Sequence, residues 1–393
     1  MNTIELPDRC DYVLPNISIK FSTAFTSKSI NEAEIQELML YKNKIDTVGC
    51  HKIWDKAKKL SNDYELIHLP NKKIKSESVA LYEPLSRSYF KLWELICDFE
   101  LLSDRTNEKI MVVGVAEGPG GFLEAILNYR KKYFGIIDDI YGITLKSSNK
   151  DVPGWKKASD FLNSNTNITI SYGKDETGNI YNLENIKHFS QFIRNKAFLV
   201  TADGGFDFSI DFNKQEQLSY RIIFCEIVTA LSVQEIGGTF ICKFFDLYTQ
   251  LTLKFIYLLK CLYKTVYITK PLTSRPANSE KYIVAKYFKG IDSKYLDQLY
   301  NVVKSWGIIE NNGLYIYDVF DIRLPEKFKD TILKYNTNNY KSQIENINKT
   351  LSIIEHQGNL SSLNLTIDEQ AKKAVEWCNK YDVEINYSSN FMK

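Results

Sequence analysis

Little in this sequence suggests a metal site or a disulfide framework. Only four of its 393 residues are histidine. The seven cysteines, Cys10, Cys50, Cys97, Cys225, Cys242, Cys261 and Cys378, form no C-x-x-C pair. No metal site is therefore expected, and an odd, scattered set of thiols reads as free cysteines in a reducing compartment. Neither sign of charge dominates: 50 Lys and Arg stand against 48 Asp and Glu, a net +2. That balance excludes a globally basic nucleic-acid binder, so a nucleic-acid surface has to be a local patch. Long apolar runs are missing too. The most apolar helical stretch, Leu251 to Tyr263, is interrupted by Lys254 and Lys260, which makes it a buried helix and predicts no membrane span. The first residues, MNTIELPDRCDY, hold no apolar signal core. The expectation is an intracellular chain.

What is present is ordinary for a globular protein: 44% hydrophobic and 25% charged residues. The length suggests two to three domains. Tyr (25) and Phe (22) are abundant beside Asn, Ile and Lys. Most of these rings fall in periodic apolar stretches, so an A+T-rich coding sequence explains them better than base stacking does. That composition points to a cytoplasmic virus or parasite, and favours the cytoplasm, including a viral factory, over the nucleus.

Three segments are expected. Residues 1–80 read as an N-terminal extension of mixed helix and loop, with a basic run from Lys52 to Lys75 as a candidate RNA-facing patch. Residues 81–290 alternate strand-like and helical runs, the pattern of an α/β fold with a parallel sheet covered by helices. Its seven strand candidates are Ile110–Ala116, Ile140–Leu145, Ile168–Tyr172, Phe198–Ala202, Thr239–Lys243, Thr265–Lys270 and Tyr282–Tyr287. The last two are joined by a loop alone, which fits a closing antiparallel pair. Residues 291–393 read as mostly helical, with one strand at Leu314–Phe320, a polar helix over 339–356 and a capping box at Thr366 to Glu369 opening a final helix. Residues from Asn386 onward read as loose.

Chemistry concentrates in two places. The first is Glu117-Gly118-Pro119-Gly120-Gly121-Phe122, which joins the first strand candidate to a helix. Glycines there let a ligand approach the main chain, and the helix beginning near Gly121 offers unpaired N–H groups. The spacing fits neither G-x-x-x-x-G-K-[ST] nor the full G-x-G-x-x-G. A nucleoside cofactor without a pyrophosphate fits better. The second is a set of two lysines and two acids: Lys91 on a helix before the first strand, Asp203 ending the fourth strand, Lys243 ending the fifth, and Glu280 opening the last. Singly, each reads as a solvated or turn residue. Together they would form a paired cluster of the kind that marks a site.

At these residues the sequence resembles the FtsJ-like RNA 2′-O-methyltransferases. Within them it is most similar to the cap-specific mRNA enzymes of eukaryotes and large DNA viruses. The matching stretches are EGPGGF at 117–122, YGITLK at 141–146, TADGGF at 201–206, GGTFICKFFDLYT at 237–249 and KPLTSRPANSEKYIVAK at 270–286. The resemblance covers roughly residues 80–290. It implies a Rossmann-like, seven-stranded S-adenosylmethionine-dependent sheet with helices on both faces, plus the two extensions. It implies Lys91, Asp203, Lys243 and Glu280 as the catalytic tetrad and Gly118–Gly121 as the cofactor turn. The family often has an acid where Gly114 stands, and no acid ends the second strand, where Thr144 and Lys146 stand. Glu117, Asp175 and Asp203 are the candidate acids toward the cofactor.

The implied reaction moves a methyl from S-adenosylmethionine to a ribose 2′-hydroxyl of the first transcribed nucleotides of capped mRNA, taking cap 0 to cap 1. Lys243 is expected as the base, with its pKa lowered by Lys91 and the donor's sulfonium. Asp203 would orient it, and Glu280 would pair with Lys91. Arg87, Lys270 and Arg275 are expected to meet RNA phosphates. Other capping or transcription proteins are candidate partners. Ribosomal or transfer RNA methylation, and a non-catalytic RNA-binding capping subunit, remain open.

Overall fold

The computed structural model describes residues 3–8, 12–25, 28–49, 51–69, 77–146, 154–205, 214–355 and 360–392. Strands β1 (Thr3–Glu5) and β2 (Asn16–Ser22) come first, then helices α1 (Glu32–Asp46), α2 (His51–Leu60) and α3 (Ser88–Asp98). Strand β3 (Met111–Val115), α4 (Gly121–Phe134), β4 (Asp139–Ile143), α5 (Ser159–Ser164), β5 (Ile168–Ser171), α6 (Leu183–Phe192) and β6 (Ala197–Ala202) alternate after them. Next are α7 (Gln215–Leu218), α8 (Tyr220–Val233), β7 (Gln234–Phe244), α9 (Gln250–Leu262), β8 (Tyr263–Thr269) and β9 (Lys281–Phe288). The chain closes with α10 (Ser293–Asn311), β10 (Tyr315–Asp321), α11 (Glu326–Glu355) and α12 (Leu360–Lys380).

Contacts divide the chain into two units. The first comprises residues 1–31, 102–270 and 280–336. Its large sheet has the order β1-β8-β9-β7-β6-β3-β4-β5. The five strands from β5 to β7 are parallel, and β9, β8 and β1 run antiparallel to their neighbours. All seven expected strands are there, including the closing antiparallel pair. The eighth, β1, corrects the reading of residues 1–80 as helix and loop. Thr3, Ile4 and Glu5 pair with Thr269, Ile268 and Tyr267, and the Thr3 and Thr269 hydroxyls lie 2.7 Å apart. This strand covers what would otherwise be the open edge of β8. Three residues are too few to show a period of two. Strand β2 pairs with β10 in a separate two-stranded sheet.

The core follows from composition. Every residue of β3 and β6 is buried, as parallel strands covered by helices require. Helix α8, YRIIFCEIVTALSV, is buried at every position but Arg221, so one face alone cannot account for its apolar content. Helix α4 ends at Gly135, whose φ of 65° suits a left-handed cap; its N–H bonds the Lys131 carbonyl at 3.2 Å. Near that end the side chain of Arg130 is fully enclosed. Its Nε donates to Asp138 Oδ2 at 2.6 Å and Nη2 to Asp138 Oδ1 at 2.9 Å. The carbonyls of Glu108 and Arg105 accept from Nη2 and Nη1, and the Ile110 N–H donates to Asp138 Oδ1 at 2.9 Å.

The second unit comprises residues 32–101, 271–279 and 337–393. Two buried acids organise it. Glu65 accepts from Arg275 Nη2 at 2.7 Å and Nε at 2.9 Å, and from Asn62 at 2.7 Å. Burial alone would raise its pKa, but Arg275 and Arg87 outweigh that and hold it below the usual range. Glu94 accepts from the Leu272 N–H at 2.6 Å, the Thr273 N–H at 3.2 Å and Trp377 Nε1 at 3.2 Å. Two expectations for the C-terminal part are corrected here. Thr366 lies inside α12, which begins six residues earlier at Leu360, so its capping-box pattern opens nothing. The end of the chain is docked: the Asn386 N–H donates to the Val79 carbonyl at 2.8 Å, Ser389 Oγ to the Glu77 carbonyl at 3.0 Å, and Ser389 is fully buried. Backbone pairing with residues 77–79 holds a segment whose own composition reads as loose.

Candidate active site

Strand order in the large sheet reverses at β3. Strands β4 and β5 follow on one side and β6 and β7 on the other. In such sheets the crevice at the carboxyl ends of the strands flanking the reversal is where ligands bind. The loop that leaves β3 there is residues 116–120, and the one that leaves β6 begins with residues 203–205; both fall in the stretches singled out in the sequence.

The first loop turns into α4 through Gly120, which has φ 100° and caps the helix without any side chain. Unpaired N–H groups at that helix start suit a polar ligand. Trp155 packs on the turn. A Cβ at Gly120 would meet its ring at 2.3 Å, and one at Gly142 of β4 would meet it at 3.2 Å. Two missing side chains thus seat a buried aromatic ring whose Nε1 has no partner among the described residues. An uncapped helix start beside a flat aromatic ring fits a purine nucleoside such as that of S-adenosylmethionine.

Glu117 behaves differently from a solvent-facing cofactor acid. Its carboxyl is buried, and among the described residues neither oxygen meets a partner at full hydrogen-bond geometry, the Thr201 hydroxyl being the nearby donor. Burial pushes its pKa well above the usual range, and the nearby Thr201 hydroxyl and Lys243 do not reverse that push. The carboxyl occupies the room that Gly114 leaves. A Cβ there would stand 2.8 Å from Glu117 Oε2 and 2.9 Å from Leu123 Cδ2. Gly114→Ala is therefore expected to cost about 1–3 kcal/mol by overpacking, and Glu117→Ala in the same chain to remove the part of that cost that the carboxyl causes, leaving the part due to Leu123. Urea unfolding of both single variants and the double variant measures the coupling. A coupling near zero would show that Glu117 does not fill this space.

The second loop carries the charge. Lys243 Nζ donates to the Asp203 carbonyl at 2.7 Å and lies 3.2 Å from Asp203 Oδ1. The side chains of Lys243 and Asp203 are 12% and 16% exposed, so the pair is largely shielded from water and can still be reached. Tyr282, opposite Lys243 in the β7–β9 register, donates its hydroxyl to Asp203 Oδ1 at 2.9 Å. Glu280 stands just before β9, and the Lys270 Nζ donates to its carbonyl at 2.9 Å. Burial lowers the Lys243 pKa, but Asp203, Glu280 and Glu226 outweigh it, so the amine stands above its ordinary value. This corrects the expectation of a lowered pKa. Within this unit the acids around the amine outnumber the cations.

The first unit therefore groups Asp203, Lys243 and Glu280 with Glu117 and the Gly118–Gly121 turn. Phe122 is buried on α4 with its ring 5.9 Å from that of Tyr282. Phe206 lies outside the described residues. Lys91 belongs to the second unit, half-buried on α3. Asp175 folds its own loop: Oδ1 accepts from Thr177 and Asn185 and Oδ2 from Asn182, which holds its pKa below the usual range. The expected RNA contacts are engaged internally as well. Arg87 donates to the carbonyls of Tyr64, Glu65 and His68, Arg275 grips Glu65, and Lys270 holds the Glu280 carbonyl. Sequence reasoning missed Trp155, Tyr282 and Glu226. Only Glu226 left a signal, as the one acid in the apolar helix α8.

Comparison with known proteins agrees with this geometry. Residues 84–288 match the family described as FtsJ-like methyltransferase. Cap-specific mRNA (nucleoside-2′-O-)-methyltransferase 1 of Ailuropoda melanoleuca is 35% identical over 66% of this chain and 31% of its own length. The human protein of that name is 34% identical over 65% of this chain and 31% of its own length. The one from Drosophila melanogaster is 31% identical over 64% and 32%. The chain thus spans about a third of the length of the curated relatives it matches. With its turn, its reversed strand order and over half its length in that match, the chain belongs to the FtsJ-like methyltransferase family.

Proposed function

We propose that this chain methylates the ribose 2′-hydroxyl of the first transcribed nucleotides of capped mRNA, with S-adenosylmethionine as donor. The observation that carries the reading is the Lys243 amine, held by Asp203 at the carboxyl edge of the sheet beside the glycine turn. Relatives 34–35% identical over about two thirds of this chain bear the cap-specific name.

A ribose hydroxyl is a weak nucleophile, so the protein has to orient it and take its proton. Residues Gly118–Gly121 and Trp155 would hold the donor. When bound, S-adenosylmethionine supplies a methyl on a sulfonium, whose positive charge also opposes the ammonium form of Lys243. Lys243, deprotonated, would take the hydroxyl proton as the ribose oxygen bonds the methyl carbon and the methyl–sulfur bond breaks, the donor leaving as a neutral thioether. Asp203 keeps the amine in place, and Tyr282 keeps Asp203 in place. Alignment of this kind is worth up to about 7–11 kcal/mol.

The test is methyl transfer from labelled donor to one short RNA, prepared capped and uncapped. Label on the first nucleotide's ribose of the capped RNA alone is the expected result. Equal label on uncapped RNA would overturn cap specificity and place the activity on ribosomal or transfer RNA. Absence of label from both, with donor bound, would overturn the enzymatic reading in favour of a binding subunit.

A further inference from the structure

Glu226 sits in the middle of α8, fully buried. An ionisable group inside so apolar a helix costs several kcal/mol unless it is neutralised or bonded. Its carboxyl faces the site. The Gly204 N–H donates to Glu226 Oε1 at 2.8 Å, and the Cys242 thiol donates to Oε2 at 3.7 Å. A Cβ at Gly204 would stand 2.2 Å from Oε1, so only glycine admits the carboxyl this close.

The bond to Gly204 matters because of the peptide it belongs to. The N–H of Gly204 and the C=O of Asp203 are two ends of one planar unit, and in a trans peptide they point to opposite sides. Lys243 donates to that C=O at 2.7 Å. One peptide is therefore gripped at both ends, by a carboxyl from α8 and by an amine from β7. Hydrogen bonds in such a chain polarise one another.

We propose that Glu226 is a positioning residue, which fixes the 203–204 peptide from the N–H side and through it sets where the Lys243 amine stands and how much negative charge it feels. This rests on the reading of Lys243 as the base. Burial pushes the Glu226 pKa up to about 8, with Lys243, the Gly204 N–H and Cys242 pulling it down and Asp203 pushing it further up. Among the described residues, the charged and titratable groups around it from other elements are Asp203 just after β6, Lys243 and Cys242 from β7, Glu117 from the first loop and Tyr181 from the segment before α6. Cys225 and Arg221 lie on its own helix. Glu280 and Tyr282 act on Lys243 and Asp203. Glu226 thus loses its proton before Lys243 does, and its charge then helps to hold the proton on the lysine.

The full chain with Glu226→Gln, which keeps an acceptor oxygen and removes the charge, separates the two effects. Labelling of Lys243 by acetic anhydride at pH 9, read by mass spectrometry against exposed Lys264, reports the neutral fraction of the amine without needing turnover. Loss of one nearby negative charge is worth about one pH unit, so labelling is expected to rise about tenfold. The ascending limb of the kcat–pH profile is expected to move down by the same step, with donor Kd and RNA KM unchanged. An unchanged labelling ratio would overturn the proposal. Glu226→Leu should also free the Gly204 amide, speeding its hydrogen exchange at least about tenfold. If the leucine variant does not fold, wild-type exchange decides: a Gly204 amide as fast as open-loop amides is equally fatal. A wild type that transfers no methyl would sink the functional reading, while the labelling would still decide the role of Glu226.

Discussion

Lys243→Ala is expected to abolish measurable methyl transfer while the chain keeps its fold and its affinity for S-adenosylmethionine. General-base catalysis contributes about 10²–10⁴-fold, and the amine also orients the hydroxyl, so the expected fall in kcat is at the upper end of that range. The proposed function seats the donor on another loop, Gly118–Gly121, against which Trp155 packs, so its Kd should stay within about twofold, since no proposed donor contact is removed. The fold should survive because the acids left behind have other partners. Asp203 keeps the Tyr282 hydroxyl at 2.9 Å, and Glu226, already at about 8, takes up a proton. Lys243→Arg is expected to fail as fully, since a guanidinium does not give up its proton at working pH. In the wild type, the raised Lys243 pKa makes activity climb with pH as the amine loses its proton. Single-turnover transfer and equilibrium donor binding on all three chains form the check. Wild-type turnover in Lys243→Ala would remove the lysine from the mechanism.

Asp138→Ala is expected to be the most damaging change away from the site. It strips Arg130 of the carboxylate it pairs with, in a place where the arginine is fully enclosed and the aspartate 1% exposed. An uncompensated buried charge costs about 3–5 kcal/mol. The Ile110 N–H loses its acceptor in the same step. Because Ile110 leads into β3 and Arg130 lies on α4, the loss falls on both elements that frame the cofactor turn. Replacing Arg130 and Asp138 together with apolar residues of similar volume should recover much of the loss. Denaturant midpoints would show it. A cost below about 1 kcal/mol for Asp138→Ala would mean that water reaches the arginine and the pair is not sealed.

The family motifs and most of the sheet were legible because they are local. Residues 112–122 carry an apolar run, a glycine turn and a helix start in one continuous stretch, and no distant contact is needed to read them. Strands such as β6 and β9 are dense in apolar and β-branched residues, and their ends locate Asp203 and Glu280. The meeting of Lys243 with Asp203 follows once β6 and β7 are taken as parallel neighbours, with Cys242 opposite Ala202.

What tertiary structure alone decided has a common physical cause: it depends on partners far away in sequence. Strand β1 exists because β8, more than 250 residues later, offers it an edge. Arg275 reads as a phosphate ligand until Glu65 is found 210 positions earlier. Glu117 reads as a cofactor acid until the empty side-chain position at Gly114 turns out to admit its carboxyl. The sign of the Lys243 pKa shift depends on how many acids converge on one amine, and Glu226 reaches it only because α8 packs its middle against the end of β6. The local motifs, through the family resemblance they carry, determined the family, the turn and the four charged residues. Packing decided which of the charges are free to act, because the pairing of a charge is set by neighbours in space.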